Sequence, residues 1–320
     1  MKTKQSNNTA PTPDHALESG AGAQVIINAA AGPSSREDTA GMVQDLETIF
    51  REHGIDATVR TVEPDRLEAT MAQTMETDPP ALLIGGGDGT VSTAARILAG
   101  TGVPLGILPM GTFNYFARYL GIPLDLKAAA QAIAESHVRD IDLVTVNDRT
   151  FISHASIGIY PQYVLQKMLM EKKSHMKKIP AIAVGFCKAF FRFPVLTMNV
   201  NDDGEKTVYT TPFLLIGNSE GALDPFMIND DLEEFQDKRF VLYVSRDSTR
   251  TSLLKTVLMT LFKKVDIHKA FVVRKMERCT IEIPKKQILV TIDGEVTRLE
   301  PPLDFSIVPK GLTMFVPEMD

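Results

Sequence analysis

LLIGGGDGTVS, Leu82–Ser92, decides the fold. A short apolar run enters three consecutive glycines, then Asp88 and Gly89, and a helical pattern starts at Thr90. Successive backbone N–H groups in such a strand-to-helix turn form an anion nest, and the helix N-terminus adds a favourable dipole. Glycine is expected there because a Cβ would obstruct a phosphate and because several positions would take φ > 0. The dinucleotide fingerprint does not fit, since its third glycine falls on Thr90. A P-loop does not fit either, because no Gly-Lys-Ser/Thr follows.

Outward from this turn the first half alternates. Strands are expected at Gln24–Asn28, Ala57–Val62, Ala81–Ile84 and Val103–Leu108. Helices are expected at Glu37–His53, Pro64–Met75, Thr90–Ala99, Phe113–Leu120 and Leu126–Ala134. Repeated units of this length imply a parallel sheet with right-handed crossovers, a doubly wound α/β domain. The second half changes character. Ile141–Val146 and Thr150–Ile157 flank the turn Asn147-Asp148-Arg149, and Val195–Val200 and Thr207–Ile216 flank Asn201–Gly204. Phe240–Val244, Ala270–Val273, Cys279–Ile283, Ile288–Ile292 and Phe305–Val308 follow, with helical insertions near 160–190 and 248–264. The expectation is a tail at 1–22, an α/β domain at 23–140 and an antiparallel β-rich domain at 141–304.

Composition is globular, with 320 residues, 44% hydrophobic and 23% charged. No apolar run reaches the ~18 residues of a membrane span, and Met1–Ala23 lacks a signal-peptide core. Two cysteines, Cys187 and Cys279, build neither a disulfide framework nor a four-cysteine zinc site, which points to a reducing compartment. The net charge of −6, absence of tryptophan and lack of a basic tail speak against nucleic acid. The charge is uneven: residues 1–150 carry 11 Lys+Arg against 19 Asp+Glu, residues 151–320 carry 23 against 21. Val164–Pro194 holds seven basic residues and one acidic one.

A second glycine turn, LPMGTFNYFARYLGIP at Leu108–Pro123, follows the next strand and so lies at the same sheet edge. Open α/β sheets bind ligands at that edge. Gly111 and Thr112 are candidates for phosphate contact, and Asn114 for holding the loop. Together, GGGDGTVS and this run resemble the diacylglycerol kinase catalytic-domain family, which includes bacterial diacylglycerol kinases and the sphingosine and ceramide kinases. Asn28–Gly32, Asp140–Leu143, Phe151–Tyr160, Gly217-Asn218-Ser219 and Ile292–Glu295 resemble further family motifs in the same order, from about residue 23 to the C-terminus. The resemblance implies that the last strands, near 305–320, return to the first domain.

It also implies ATP-dependent phosphoryl transfer to a lipid alcohol. ATP phosphates would lie on Gly85, Gly86, Gly87, Asp88, Gly89 and Thr90, with Asn28, Gly32 and Thr61 also facing the nucleotide. Asp293 matches the family's proposed general base, with Glu295 two residues on, on the same face if the strand continues. Asp88 and Asp142 match acids near Mg2+. Three departures stand out. Tyr115 replaces a usual Asp, and His154 a usual Asn. The stretch after Asn218 lacks the family's glycines and structural-metal loop, although Asp230, Asp231 and Asp237 are present. The six histidines do not cluster; His154 is expected to be an interior hydrogen-bonding residue. Lys172, Lys173, Lys177 and Lys178, and LLKTVLMTLF before Lys263-Lys264, put lysines beside apolar side chains, as a surface resting on anionic lipid does. The expected setting is the cytoplasm, with peripheral contact at the inner membrane face; a homodimer stays open. Two other readings stay open: a soluble NAD kinase-like enzyme, and a non-catalytic lipid-binding module.

Overall fold

The computed structural model describes residues 22–31, 36–174, 195–218, 238–246, 249 and 267–317. Gly32, Lys177, Lys178, Cys187, Asp230, Asp231, Asp237 and 253–264 lie outside them, as do the side chains of Lys172 and Lys173.

The first half runs β1 (Gly22–Asn28), α1 (Arg36–Glu52), β2 (Asp56–Val62), α2 (Leu67–Met75), β3 (Leu82–Gly86), α3 (Asp88–Leu98), β4 (Leu105–Pro109), α4 (Tyr115–Tyr119) and α5 (Leu126–Ala134). The strands are parallel in the order β2-β1-β3-β4. Every residue of β3 and β4 is buried, as their continuous apolar runs require in a sheet covered on both faces. α1 buries Met42, Leu46, Ile49 and Phe50, a helical stripe, and ends where Gly54 turns with φ 76°. α5 is capped by Asp125, whose carboxylate accepts from Ala128 N–H.

The second half is antiparallel. β5 (His137–Val146), β6 (Arg149–Phe151), β7 (His154–Gly158), α6 (Ile159–Ser174), β8 (Leu196–Asp202), β9 (Glu205–Thr211), β10 (Phe213–Gly217) and β11 (Phe240–Ser245) come first. α7 (Ile267–Ala270), β12 (Phe271–Met276), β13 (Arg278–Glu282), β14 (Ile288–Ile292), β15 (Glu295–Leu299) and β16 (Leu303–Val316) complete it. Six strands form one sheet in the order β12-β11-β10-β7-β14-β15. The others join the first half: β16 lies parallel to β4 at Met314↔Leu105 and antiparallel to β5 and β13. The boundary expected near residue 140 therefore falls inside β5, and one ten-stranded sheet spans both halves. Val144, Met198, Leu214, Val290 and Phe305 belong to one buried cluster drawn from both sheets.

Two expected strands are each broken in two. Thr150–Ile157 splits into β6 and β7 because the N–H groups of Ile152, Ser153 and His154 turn to the carboxylate of Asp293. Thr207–Ile216 splits into β9 and β10 at Pro212, which has no N–H for a ladder. α3 begins at Asp88, two residues before the expected start. The N–H groups of Thr90 and Val91 both reach Gly87 O, at 2.9 and 3.1 Å, which makes Gly87 the cap.

Candidate active site

Three turns meet at the C-terminal edge of the parallel sheet. They follow β1, β3 and β4. Strand order reverses direction between β1 and β3, the switch point at which α/β sheets take ligands. Asn28 ends β1 and donates from Nδ2 to Thr90 Oγ1 (3.0 Å), while its Oδ1 accepts from Ala30 N–H. One amide thus fixes the first turn and clamps it to the second. Thr61 sits beside them at the end of β2, exposed and in register with Ile27.

The glycines serve close approach rather than unusual backbone. None of Gly85–Gly89 has positive φ, contrary to the sequence expectation. A Cβ on Gly111 would stand 2.5 Å from Gly87 Cα and 2.7 Å from Asn114 Oδ1, so the second and third turns touch backbone to backbone. Met110 N–H donates to Gly86 O (2.9 Å) across this contact. Asn114, at φ 50°, closes the third turn from both sides: its Oδ1 accepts from Gly111 N–H and its Nδ2 donates to Gly111 O. Gly111 and Asn114 therefore shape the loop, and the Gly111 N–H is already used. The N–H groups of Asp88 and Gly89, in the first turn of α3, make no hydrogen bond to a described atom, and nothing lies within 4 Å of a Cβ built on Gly89. These are open donors at a helix N-terminus.

Asp293 arrives from the other half. With Gly294 it forms the two-residue turn of the β14–β15 hairpin, at φ 47° and 84°, the positive pair of a type I′ turn. The strand does not continue, so Glu295 is not two residues along one face. It is exposed, at the start of the returning strand opposite Ile292. The carboxylate of Asp293 accepts four hydrogen bonds. Oδ2 takes Ser92 Oγ–H (2.8 Å) and Ile152 N–H (3.1 Å); Oδ1 takes Ser153 N–H (2.9 Å) and His154 N–H (3.1 Å). That fills the roughly four lone-pair directions of a carboxylate. Ser92 lies one helical turn after Asp88, so its hydroxyl joins the phosphate-type turn to a carboxylate 201 residues away. The motif alone assigns Ser92 no role; its one signal in the sequence is a hydroxyl at i+4 from Asp88.

The flanking groups are neutral. Burial pushes the Tyr115 phenol up, with the Asp88 charge adding and Arg118 opposing. Tyr160, on α6, is pushed up to about 12, chiefly by burial. Burial lowers His154 and keeps its imidazole uncharged, against the pull of Asp293; its Nδ1 lies 3.0 Å from Ser153 Oγ. Phe113, 56% exposed, stacks on Tyr115 at 5.3 Å. Asp88 Oδ1 accepts a long bond from Phe116 N–H (3.4 Å). Asp142 is buried, and its Oδ1 accepts from Lys310 N–H (2.8 Å) at the register shift between β5 and β16. Asn218 spans Asp142 O and Ile152 O with its Nδ2. Among the described residues no three His, Cys, Asp or Glu gather as a metal cage. Magnesium, however, is normally held by one or two carboxylates together with a substrate's phosphates and water. Asp88, beside open N–H donors, fits that mode; Asp142 has one oxygen committed to the bulge.

Comparison with known proteins agrees with the fold. Residues 22–146 match the family model for the diacylglycerol kinase catalytic domain. Uncharacterized protein sll0036 of Synechocystis sp. is 24% identical over 307 residues, 92% of this chain and 70% of that protein. A probable lipid kinase YegS-like of Klebsiella pneumoniae is 36% identical over 120 residues, 36% of this chain and 40% of that protein. The crystal structure of a diacylglycerol kinase from Bacillus anthracis superposes with a TM-score of 0.67 at 19% identity, covering 92% of this chain and 96% of the other. The family resemblance is thus shown, and so is the fold: an N-terminal parallel-sheet α/β part and a C-terminal antiparallel part.

Proposed function

We propose that this chain, whose residues 22–146 match the diacylglycerol kinase catalytic domain, is a lipid kinase that moves the γ-phosphoryl group of ATP to a lipid hydroxyl. One observation carries the reading: the 2.8 Å bond from Ser92 to Asp293, which sets a carboxylate of the β-rich half beside the helix that starts at the glycine turn. ATP phosphates lie over the open N–H groups of Asp88 and Gly89. Asp88, together with those phosphates, would hold magnesium, which would offset charge that backbone amides cannot neutralise. Diacylglycerol is the first acceptor to test, followed by sphingoid bases and ceramide. Such acceptors reside in bilayers, and among the described residues no helix is long and apolar enough to cross one. Access from the membrane surface is part of the proposal.

Asp293 is the proton's destination, and Ser92 is its route. Three of the four donors on Asp293 are backbone N–H groups that cannot hand on a proton. The acceptor O–H breaks as its oxygen bonds the γ-phosphorus, and the bond from that phosphorus to the ADP oxygen breaks. The released proton passes to Ser92 Oγ as the Ser92 proton passes to Asp293 Oδ2. Tyr115 and Tyr160 do not compete as bases, since burial holds both phenols protonated.

Labelled ATP, magnesium and vesicles containing diacylglycerol, sphingosine or ceramide test the reading, with NAD as a parallel acceptor. A labelled lipid phosphate is expected. Label only on NAD, or no turnover with any acceptor, would overturn it. Gly111→Ala tests where the phosphates sit. Its Cβ meets backbone at 2.5 Å, and overpacking of this kind costs about 1–3 kcal/mol. The two turns separate, and ATP affinity by calorimetry is expected to fall at least about tenfold. An unchanged affinity in the folded variant would put the phosphates elsewhere.

A further inference from the structure

The β14–β15 hairpin has a second end. Asp293 is its tip; at its base, five residues or about 17 Å away, a cavity of about 230 Å³ opens between α6, the start of β8 and the loop before β14. Lys285, Arg298, Gln162 and Gln287 supply its polar lining, and Leu196 and Leu289 part of its apolar lining. Leu289 and Arg298 are directly paired across the hairpin, so they share a face. Gln287 Nε2 is engaged with Glu300 Oε1 at 3.2 Å. Among the described residues neither Lys285 nor Arg298 forms an ion pair, although Arg274 and Arg278 of the same half do. Two cations thus border one hollow, and among the described residues no carboxylate pairs with either; the Glu300 carboxylate beside it is taken by Gln287.

The apolar lining continues outward. Val195, 41% exposed, adjoins Leu196, and Leu169, 39% exposed, lies seven residues after Gln162 on the same face of α6. A small inorganic anion gains nothing from such a wall, whereas an anionic amphiphile uses both parts. The cavity is smaller than the ~300–1,000 Å³ of sites that enclose a whole drug-sized ligand. It admits a phosphate and its glycerol, not acyl chains.

We propose that this cavity binds the phosphate head group of an anionic lipid. Lys285 and Arg298 hold the phosphate, Gln162 a neighbouring oxygen, and the chains leave past Leu196 toward Val195 and Leu169. The proposal goes beyond the kinase reading and does not depend on it, because the site is read by binding alone.

The test uses the full chain with leucine methyl labels and dihexanoyl phosphatidic acid below its micellar concentration, so that no bilayer is present. Shifts at the Leu196 and Leu289 methyls are expected, with much weaker ones from dihexanoyl phosphatidylcholine. Lys285→Glu with Arg298→Glu should weaken binding about tenfold or more, since an exposed cation–phosphate pair contributes up to about 1 kcal/mol, a factor of about five, and each reversal adds repulsion. The same charge change at Arg149 and Lys206, exposed and remote in sequence, should leave binding intact. Unchanged binding in the first pair, equal loss in the second, or shifts confined to other leucines would overturn the site. Glycerol phosphate binding as tightly as the lipid would overturn the lipid assignment in favour of a free phosphate ester.

Discussion

Asp293→Asn is expected to lower kcat by ~10²–10⁴, the usual worth of a positioned base, while ATP affinity stays nearly unchanged. Asparagine keeps the size of the side chain, and its Oδ1 still accepts from the Ser153 and His154 N–H groups while its Nδ2 faces Ile152 N–H and Ser92, so the hairpin tip stays docked with one backbone bond fewer. It does not take a proton. Ser92→Ala provides the discriminating partner. Alanine leaves all three backbone donors of Asp293 in place but removes the hydroxyl through which the proton leaves the acceptor. Its kcat should fall into the same range, Ser92→Thr should recover much of it, and the double variant should be no worse than Asp293→Asn. Non-additivity of this kind marks residues acting as one unit. If Ser92 only braced the two halves, the losses would add and appear in thermal stability. Full turnover in Ser92→Ala, with wild-type lipid phosphorylation confirmed, would sink the relay and leave the kinase reading standing. A loss confined to ATP affinity in Asp293→Asn would move Asp293 into the nucleotide site.

What could be read from the residues alone follows from how local each signal is. Leu126–Ala134 and Ile288–Ile292 form elements with those same bounds, because periodicity and apolar runs act within one segment. The glycine turn was legible as a strand-to-helix turn because its glycines end an apolar run and a helical pattern starts directly after them. β15 was missed because Glu295, Thr297 and Arg298 mask a strand that the Asp293-Gly294 turn enforces. The breaks at 152–153 and Pro212 were missed for different reasons. The first needs a carboxylate some 140 residues away, which no local pattern announces. The second needed only a stricter reading of proline. The positive φ expected in the glycine turn failed because contact, not conformation, excludes side chains there: Gly87 and Gly111 touch each other. Asp142 reads as a metal acid by resemblance, yet its Oδ1 closes the bulge through Lys310 N–H. Tyr115 is now seen stacked under Phe113, near the Asp88 charge.

Asp88→Asn should have an effect on turnover of similar size and, on ATP affinity, a sign that identifies its cause. Asp88 is the first residue of α3, beside the open N–H groups of the glycine turn, and among the described residues its carboxylate accepts only the long bond from Phe116 N–H at 3.4 Å. Asparagine accepts that bond equally well and suits a helix start, so the fold should be unaffected. What changes is charge. A carboxylate facing ATP phosphates repels them unless a divalent cation stands between, and with the cation present it anchors metal and phosphates together. Removing the charge should therefore weaken magnesium-ATP and strengthen metal-free ATP. Turnover should drop about 10³-fold or more, since metal stabilisation of the transferring group is worth several kcal/mol and each 1.4 kcal/mol is tenfold. Calorimetric titration of wild type and variant, with magnesium and with a chelator, reads both signs in one experiment. Equal ATP affinity in all four titrations, with turnover retained, would show that Asp88 does not face the phosphates. The open donors of α3 would then need another anion to explain them.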